Sequence, residues 1–114
     1  MSEQLWFVYM ILSSDQQIYT GITTNMTRRW REHSEGKAGA RYFNGRKPEA
    51  LCLLEAASSR SSASKREYLL KSLSRPKKID HIVQSLNSTR SLFASQQFAD
   101  LPIVDAQSAP FARR

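Results

Sequence analysis

The sequence predicts one α+β domain over residues 1–86, with elements in the order β-β-α-β-α-α, followed by a flexible tail over residues 87–114. Three observations support this prediction. A chain of 114 residues suits a single modest core. Two strand-like apolar runs separated by a polar turn near the N-terminus are typical of a β-hairpin. Helical spacing of apolar residues recurs in three later segments and ends at about residue 86.

The strands differ in the burial that their patterns predict. Residues 5–12 are apolar at every position and rich in residues that favour strands, which indicates a central strand covered on both faces. Residues 17–22 follow a short polar turn and complete an antiparallel hairpin near Gly21. A third strand begins at Pro48 and has its apolar core at residues 50–54.

Capping and stop residues bound three predicted helices. Thr24 or Asn25 can cap the first helix, which Gly36 ends. The second helix is predicted over residues 62–74, and the third has Pro76 in its first turn. The residues predicted to face the core are Met26, Trp30 and His33 in the first helix, Ala63, Leu69, Leu70 and Leu73 in the second, and Ile79, Ile82, Val83 and Leu86 in the third.

The charge of the chain favours a polyanionic partner. The net charge is +7 and the pI is about 10.0. Residues 24–47 hold seven Lys or Arg against two Glu, net +5, and residues 60–78 hold seven against Glu67 alone, net +6. Binding to an anionic membrane would require a basic helix with a broad exposed apolar face. Nucleic acid is therefore the favoured partner, and no membrane contact is predicted.

The cysteine count and the N-terminal residues predict a cytoplasmic protein. Cys52 is the single cysteine, which excludes an intrachain disulfide and a zinc site built from cysteines. The N-terminal residues include Glu3 and no basic stretch, and the apolar run over residues 5–12 is too short to span a bilayer.

A group of polar residues converges in the predicted hairpin and first helix. Tyr19 and Gly21 stand at the end of the second strand, and Arg29 follows Gly21 by eight residues, within the first two helical turns. His33 lies four residues after Arg29 and so on the same helix face, while Tyr9 belongs to the first strand. Two tyrosines, an arginine and a histidine directed at one phosphate would indicate phosphodiester chemistry.

These residues make the chain resemble the GIY-YIG nuclease superfamily, and within it the short bacterial YhbQ-like proteins. The resemblance covers about residues 4–84. Residues 7–9 (Phe-Val-Tyr) stand at the first family tripeptide, with Phe in place of Gly, and residues 19–21 (Tyr-Thr-Gly) stand at the second. Residues 24–33 resemble the family helix with its Arg and His, and Glu67 resembles the family's metal-ligand glutamate.

The resemblance implies a small three-stranded antiparallel sheet flanked by helices and hydrolysis of a phosphodiester with one metal ion. It implies that Glu67 binds Mg²⁺ or Mn²⁺ and that Arg29 binds the phosphate. Tyr9, Tyr19 and His33 would handle the water and its proton. DNA is favoured over RNA as the substrate, and cleavage is expected to be structure-selective or non-specific because no separate DNA-reading domain is present. A monomer or weak dimer is expected.

Proton transfer in such a site depends on the pKa values of its side chains. A phenol with an ordinary pKa of ~10 is a poor base, and the surrounding Arg and Lys residues are expected to lower that value. His33, with an ordinary pKa of ~6.5, is expected to relay the proton or hydrogen-bond the phosphate near neutrality. The sequence leaves open which tyrosine assists the water.

Other polar side chains are candidate contacts to nucleic acid. The segment over residues 36–47 is basic, has no periodicity and contains Tyr42 and Phe43, which either stack on unpaired bases or cover one end of the core. The candidate nucleic-acid-binding residues are Arg28, Lys37, Arg41, Tyr42, Arg46 and Lys71.

Each candidate residue also has a structural interpretation. The tyrosines could pack as ordinary strand residues, Arg29 could be solvated, and His33 could close the edge of the core. Glu67 could form a capping box with Ser64 or an i, i+4 pair with Lys71. Two alternatives to an enzyme follow: a nucleic-acid-binding module that cuts slowly or not at all, and an adaptor that docks a protein partner through its C-terminal tail.

Overall fold

A computed structural model of the protein describes residues 4–36, 45–96, 98 and 100–111. Across these residues the strands are β1 (Trp6–Ser13), β2 (Ile18–Thr23) and β3 (Pro48–Ala57), and the helices are α1 (Met26–Glu35), α2 (Arg60–Lys71), α3 (Arg75–Gln84) and α4 (Leu86–Ser95). The predicted α+β class and the order of the first six elements are confirmed, and α4 is an addition. No helix within these ranges has the length and apolar character needed to cross a membrane.

β1 is the central strand of a three-stranded antiparallel sheet of order β2-β1-β3, as predicted. It is buried from Phe7 onward because helices cover both faces of the sheet. Val8 and Met10 face a core built largely by α2 and α3. Tyr9 and Ile11 face the opposite core, built by α1 and α4. Consecutive residues of β1 therefore alternate between two helical layers.

The predicted limits of α1 are confirmed, whereas one predicted core residue of α2 is wrong. The Asn25 side chain caps α1, and Gly36, at φ 71°, ends it. α2 buries Ala63 and Leu70, but Leu69 is 55% exposed. Leu69 is displaced by about 100° around the helix axis from Leu70 and therefore lies beyond the edge of the stripe that Ala63 and Leu70 define.

The C-terminal region differs from the predicted flexible tail. The side chains that α4 buries against the sheet are Leu86, Thr89 and Phe93. Beyond α4, Leu51 N–H donates to the carbonyl of Pro102 (2.8 Å) and Val104 N–H donates to the carbonyl of Leu51 (3.0 Å). This segment therefore runs alongside β3, and Phe111 near its end is fully buried.

Thr89 joins α4 to the sheet by a buried hydrogen bond, in which Leu54 N–H donates to Thr89 Oγ1 at 3.2 Å. We expect Thr89→Val to lower the free energy of unfolding by about 1–3 kcal/mol, because the substitution keeps the shape and leaves a buried N–H without an acceptor. Urea unfolding measures the change. Thr89→Ser keeps the acceptor oxygen and is the control. Equal stability of the valine variant and the native protein would contradict an integral α4.

A second polar link joins β3, α2 and α3. Arg66 donates from Nε and Nη2 to the two carboxylate oxygens of Glu55, at 2.7 and 3.1 Å, and His81 Nε2 lies 2.8 Å from Glu55 Oε2. Burial raises the pKa of Glu55, but the hydrogen bonds from Arg66 and His81 outweigh it and hold the pKa below its ordinary value. These contacts fix α2 and α3 against the end of β3.

Candidate active site

The site begins where Tyr9 of β1 lies opposite Gly21 of β2 in the antiparallel ladder. The Tyr9 ring crosses the space that a side chain at Gly21 would occupy. A Cβ built on Gly21 would lie 2.6 Å from Tyr9 Oη and 2.8 Å from its Cζ. Glycine at this position therefore lets the phenol reach across β2 toward α1.

α1 brings two further side chains to that phenol. Arg29 and His33 are four residues apart and lie on the same face of the helix. Met26, one turn before Arg29, anchors this face in the core. Tyr19, which precedes Gly21 by two residues in β2, places its ring 5.4 Å from the His33 ring and 6.1 Å from the Tyr9 ring.

Tyr9, Tyr19, Arg29 and His33 together form what we call the Tyr-Arg-His cluster. Tyr9 Oη lies 2.8 Å from His33 Nε2, and Arg29 Nε donates to the same phenol oxygen at 3.3 Å. The structure therefore brings together all four residues for which the sequence predicted a role at the phosphate. The contacts within the cluster are direct hydrogen bonds and ring contacts.

The members of the cluster differ in their access to solvent. Tyr9 and His33 are 0% and 1% exposed. The Arg29 side chain is 22% exposed, and Tyr19 is half-buried. Arg29 and Tyr19 are therefore the members of the cluster that keep solvent-exposed surface, whereas Tyr9 and His33 are buried.

Burial sets the charge states of Tyr9 and His33, and both differ from expectation. Burial raises the pKa of Tyr9 above its ordinary value despite the Arg29 charge beside it. Burial and then the Arg29 charge lower the pKa of His33 to about 4. Near neutral pH Tyr9 is therefore protonated and His33 neutral. The predictions of an acidified Tyr9 phenol and of a histidine that titrates near neutrality are wrong for these two residues, because desolvation outweighs the neighbouring charges.

Glu32 orients Arg29, a role that the sequence analysis missed. Arg29 Nη1 donates to Glu32 Oε1 at 2.8 Å, so the guanidinium is held by Tyr9 at one nitrogen and by Glu32 at another. Burial opposes the charge of Arg29, but the hydrogen bonds to Glu32 and Tyr9 outweigh that effect and raise its pKa. The i, i+3 spacing from Arg29 is the sequence signal that could have indicated this pair.

His33 makes the stability of the protein depend on pH. Its folded-state pKa of about 4 lies below the ordinary ~6.5, so the unfolded state binds more protons between these values. We expect stability to be highest above about pH 6.5 and to fall by about 3 kcal/mol as the pH drops to about 4. Urea unfolding across this range measures the loss.

His33→Gln is the control for this pH dependence, because glutamine can hydrogen-bond Tyr9 without titrating. The decline between pH 6.5 and 4 should be shallower in this variant than in the native protein. An identical slope in both proteins would contradict the burial of a neutral His33.

Glu67, the predicted metal ligand, lies on α2, which is not one of the elements that carry the Tyr-Arg-His cluster. The Glu67 carboxylate accepts from Lys71 Nζ at 3.1 Å. This is the i, i+4 pair that was given above as the structural interpretation of Glu67. The buried residues of its helix, Ala63 and Leu70, pack with Val8 and Met10, so α2 covers the face of the sheet opposite to Tyr9. α2 also packs against β2, the strand that carries Tyr19. The capping box of α2 is formed by Ser59 and Ser62 and does not involve Glu67.

The grouping of the acidic side chains decides which kind of metal site this chain can form. Among the residues that the structure describes, no group of three or more His, Cys, Asp or Glu side chains could hold a metal ion. One carboxylate completed by waters and substrate phosphate oxygens is nevertheless a normal shell for Mg²⁺. Glu67, whose side chain is partly exposed, fits such a site as a single ligand.

The structure describes three of the six predicted nucleic-acid contacts, which are Arg28, Arg46 and Lys71. Lys37, Arg41 and Tyr42 lie outside the described residues. Arg28 is exposed beside the cluster on α1, and Arg46 pairs with Asp15 at 3.2 Å.

Arg46 also lines an open cavity of about 500 Å³ that includes His33 and Lys47. Two of the predicted contacts, Arg28 and Arg46, therefore border the cluster, while Lys71 lies on α2 beside Glu67.

Comparisons with known proteins identify relatives of the chain. The model of the GIY-YIG catalytic domain family matches residues 5–80. A UPF0213 protein from Desulfotalea psychrophila is 49% identical over 73 residues, which are 64% of this chain and 66% of that protein. The UPF0213 protein YhbQ from Salmonella arizonae is 36% identical over 92 residues, which are 81% of this chain and 90% of that protein.

A solution NMR structure of the UPF0213 protein BH0048 from Bacillus halodurans is also similar to this chain. It is 33% identical, with a TM-score of 0.46, and the match covers 83% of this chain and 99% of that one. The family match extends from β1 into α3 and thus includes every member of the Tyr-Arg-His cluster together with Glu67. The chain therefore belongs to the GIY-YIG family of nuclease domains and, within it, is related to the UPF0213 (YhbQ-like) proteins.

Proposed function

We propose that this protein is a cytoplasmic, metal-dependent endonuclease that hydrolyses phosphodiester bonds in DNA with structural selectivity or without specificity. The Tyr-Arg-His cluster supports the proposal most strongly. In it, the partly exposed Arg29, whose guanidinium is held by Tyr9 and Glu32, lies beside the partly exposed Tyr19. An oriented cation beside a polar group is what attack on a phosphodiester requires.

Arg29 is proposed to bind the scissile phosphate. Negative charge grows on the phosphate oxygens as the water oxygen bonds to phosphorus and the bond to the leaving oxygen breaks. A guanidinium can donate to two of those oxygens at once and stays charged at every working pH. The bonds to Tyr9 and Glu32 hold Arg29 in one orientation, so little reorganisation is needed when the charge develops.

Tyr19 is proposed to accept a hydrogen bond from the attacking water and so to orient it, and the proton that the water loses passes to solvent. Tyr19 is the partly exposed phenol of the pair, whereas Tyr9 is fully buried and protonated. Arg29 lies close enough to Tyr19 for the two side chains to interact electrostatically, so a phosphate bound by Arg29 would lie beside Tyr19. Tyr9 and His33 are positioning residues in this scheme, because they contact Arg29 and Tyr19 from the buried side.

Glu67 is proposed to bind Mg²⁺ or Mn²⁺ together with a phosphate oxygen of the substrate. A bound divalent ion would supply Lewis-acid stabilisation of the leaving oxygen. The packing of α2 against β2 supports this assignment, since β2 also carries Tyr19. A substrate strand at the β2 edge of the sheet would contact both elements.

A nucleic-acid-binding module with weak or no cleavage is the second candidate function. Its supporting observation is Glu67 itself, which pairs with Lys71 on α2, the helix that packs on the face of the sheet opposite to Tyr9. In this case the basic residues would bind phosphates without assembling a metal site. The two candidates agree on DNA binding and differ on the need for Glu67.

Cleavage assays distinguish these functions. Single-stranded, duplex and branched DNA should be incubated with Mg²⁺, Mn²⁺ or EDTA, using the native protein and Glu67→Gln. Glu49→Gln, which changes an exposed glutamate of β3, is the matched control. The enzyme predicts metal-dependent cleavage that is lost in Glu67→Gln and kept in Glu49→Gln. Tight binding without cleavage of any substrate, unaffected by Glu67→Gln, would establish the binding module.

A further inference from the structure

The outward face of α2 carries an aromatic side chain that is not packed in the core. Tyr68 is 73% exposed, and its neighbour Leu69 is 55% exposed. Lys65 and Lys71 stand three residues before and three residues after Tyr68, so these two residues lie on either side of Tyr68 on the helix surface. Nucleic-acid-binding surfaces commonly combine an exposed ring with flanking cations.

The charge around Tyr68 indicates a polyanion as the occupant of this face. Residues 60–78 hold seven Lys or Arg against one Glu. Arg66 is engaged by Glu55, whereas Lys65, Arg75 and Lys77 are exposed. Two adjacent apolar side chains are too narrow a patch for a membrane-bound helix. A nucleic-acid strand supplies both phosphates for the lysines and π-faces for the tyrosine.

Tyr68 is also next to the proposed metal ligand. Glu67 and Tyr68 are consecutive, so their Cα atoms are separated by about 3.8 Å. Lys71 Nζ bonds Glu67 Oε2 at 3.1 Å and also lies one helical turn from Tyr68. A strand with one phosphate at Glu67 therefore has a base within reach of the Tyr68 ring.

We propose that Tyr68 stacks on an unpaired nucleobase beside the cleaved phosphodiester, with Lys65 and Lys71 on the flanking phosphates. This assignment rests on the proposed function, because it uses Glu67 to place the cleaved bond. Bases within a duplex are stacked on one another and do not offer a free face. The protein therefore selects DNA that contains unpaired nucleotides, such as single strands, flaps or bulges.

Binding measurements test this assignment without depending on cleavage. Fluorescence anisotropy with labelled single-stranded and duplex DNA in EDTA compares the native protein with Tyr68→Ala, Tyr68→Phe and Leu69→Ala. We expect Tyr68→Ala to bind single strands about 5- to 150-fold more weakly, the range for loss of one stacked base. Its affinity for duplex DNA should change less than about twofold. Tyr68→Phe keeps the ring and Leu69→Ala keeps Tyr68, so both should bind like the native protein.

An abasic nucleotide gives an independent measure of the same contact. When the abasic nucleotide is placed at successive positions of the single strand, one position should weaken DNA binding by the native protein. At that position it should have little effect on DNA binding by Tyr68→Ala, because both changes remove the same stacking contact. Equal losses of single-stranded and duplex binding in Tyr68→Ala, no loss at all, or a change only in self-association measured by sedimentation would overturn the assignment.

The results also separate this inference from the proposed function. Selective loss of single-strand binding in Tyr68→Ala, in a protein that never cleaves, would keep the stacking site and reject the nuclease. Cleavage that needs Glu67 but is insensitive to Tyr68→Ala on every substrate would keep the nuclease and reject the stacking site.

Discussion

Arg29→Ala is expected to lower the rate of DNA cleavage at saturating substrate by about 10²- to 10³-fold, the usual cost of removing one donor that stabilises transition-state charge. The guanidinium has partners at two nitrogens, Tyr9 Oη at 3.3 Å and Glu32 Oε1 at 2.8 Å. Arg29 is therefore ordered before the substrate binds. Single-turnover cleavage of a labelled oligonucleotide isolates the chemical step from binding and product release.

Arg28→Ala is the matched control, because Arg28 is the adjacent arginine of α1 and its side chain is 53% exposed. It should weaken DNA binding modestly and leave the single-turnover rate nearly unchanged. Arg29→Lys keeps the charge and loses the forked donors, so most of the rate should still be lost. Equal rates for Arg28→Ala and Arg29→Ala at saturating substrate would contradict a specific role of Arg29 at the phosphate. Circular dichroism of each variant checks that it folds.

The meeting of the four cluster residues was predictable because it depends on local geometry. Arg29 and His33 share a helix face by their spacing, and Tyr9 and Gly21 are opposed by the register of a short hairpin. The protonation states were not predictable from the sequence. They depend on how deeply Tyr9 and His33 are buried, which is decided by packing with elements distant in the sequence.

The fourth helix escaped prediction for a chemical reason. The buried positions of α4 follow helical spacing, but the middle one is Thr89, a polar residue that interrupts the apolar period. Thr89 is buried because its hydroxyl accepts from Leu54 N–H, on a strand far away in the sequence. A pattern of apolar residues does not identify a position that is buried to satisfy a backbone donor.

The spacing of residues did not predict which face of the sheet the helix of Glu67 covers. The sequence assigned it to the second helix correctly, but not to a face of the sheet. Ala63 and Leu70, seven residues apart, define the buried stripe, and Glu67 lies between them. The Glu67 side chain is nevertheless partly exposed, and it pairs with Lys71 at 3.1 Å.

Gly21→Ala is expected to lower the free energy of unfolding by about 1–3 kcal/mol and to reduce cleavage together with it. Alanine alone would favour this strand position by roughly 0.5–1 kcal/mol, because glycine loses more backbone entropy on folding. The steric contact with Tyr9 decides the sign of the net change in the free energy of unfolding. The new Cβ would lie 2.6 Å from Tyr9 Oη and 2.8 Å from Cζ.

The Tyr9 ring cannot move away from the added Cβ without losing other interactions. It is fully buried, its oxygen is bonded by Arg29 and His33, and its backbone pairs with Gly21 itself. Any displacement of the ring moves the phenol that orients Arg29. Urea unfolding and single-turnover cleavage should therefore change together in Gly21→Ala.

Gly36→Ala separates this contact from the general effect of a glycine substitution. Gly36 has φ +71°, and no atom of the described residues lies within 4 Å of an added Cβ, so alanine there is expected to cost stability through backbone strain. Its cleavage rate per folded molecule should equal that of the native protein. In a Tyr9→Phe background the nearest clashing atom is absent, and the penalty of Gly21→Ala should shrink. A Gly21→Ala protein as stable and active as the native one would mean that the phenol does not lie across β2, and the proposed orientation of Arg29 would lose its basis.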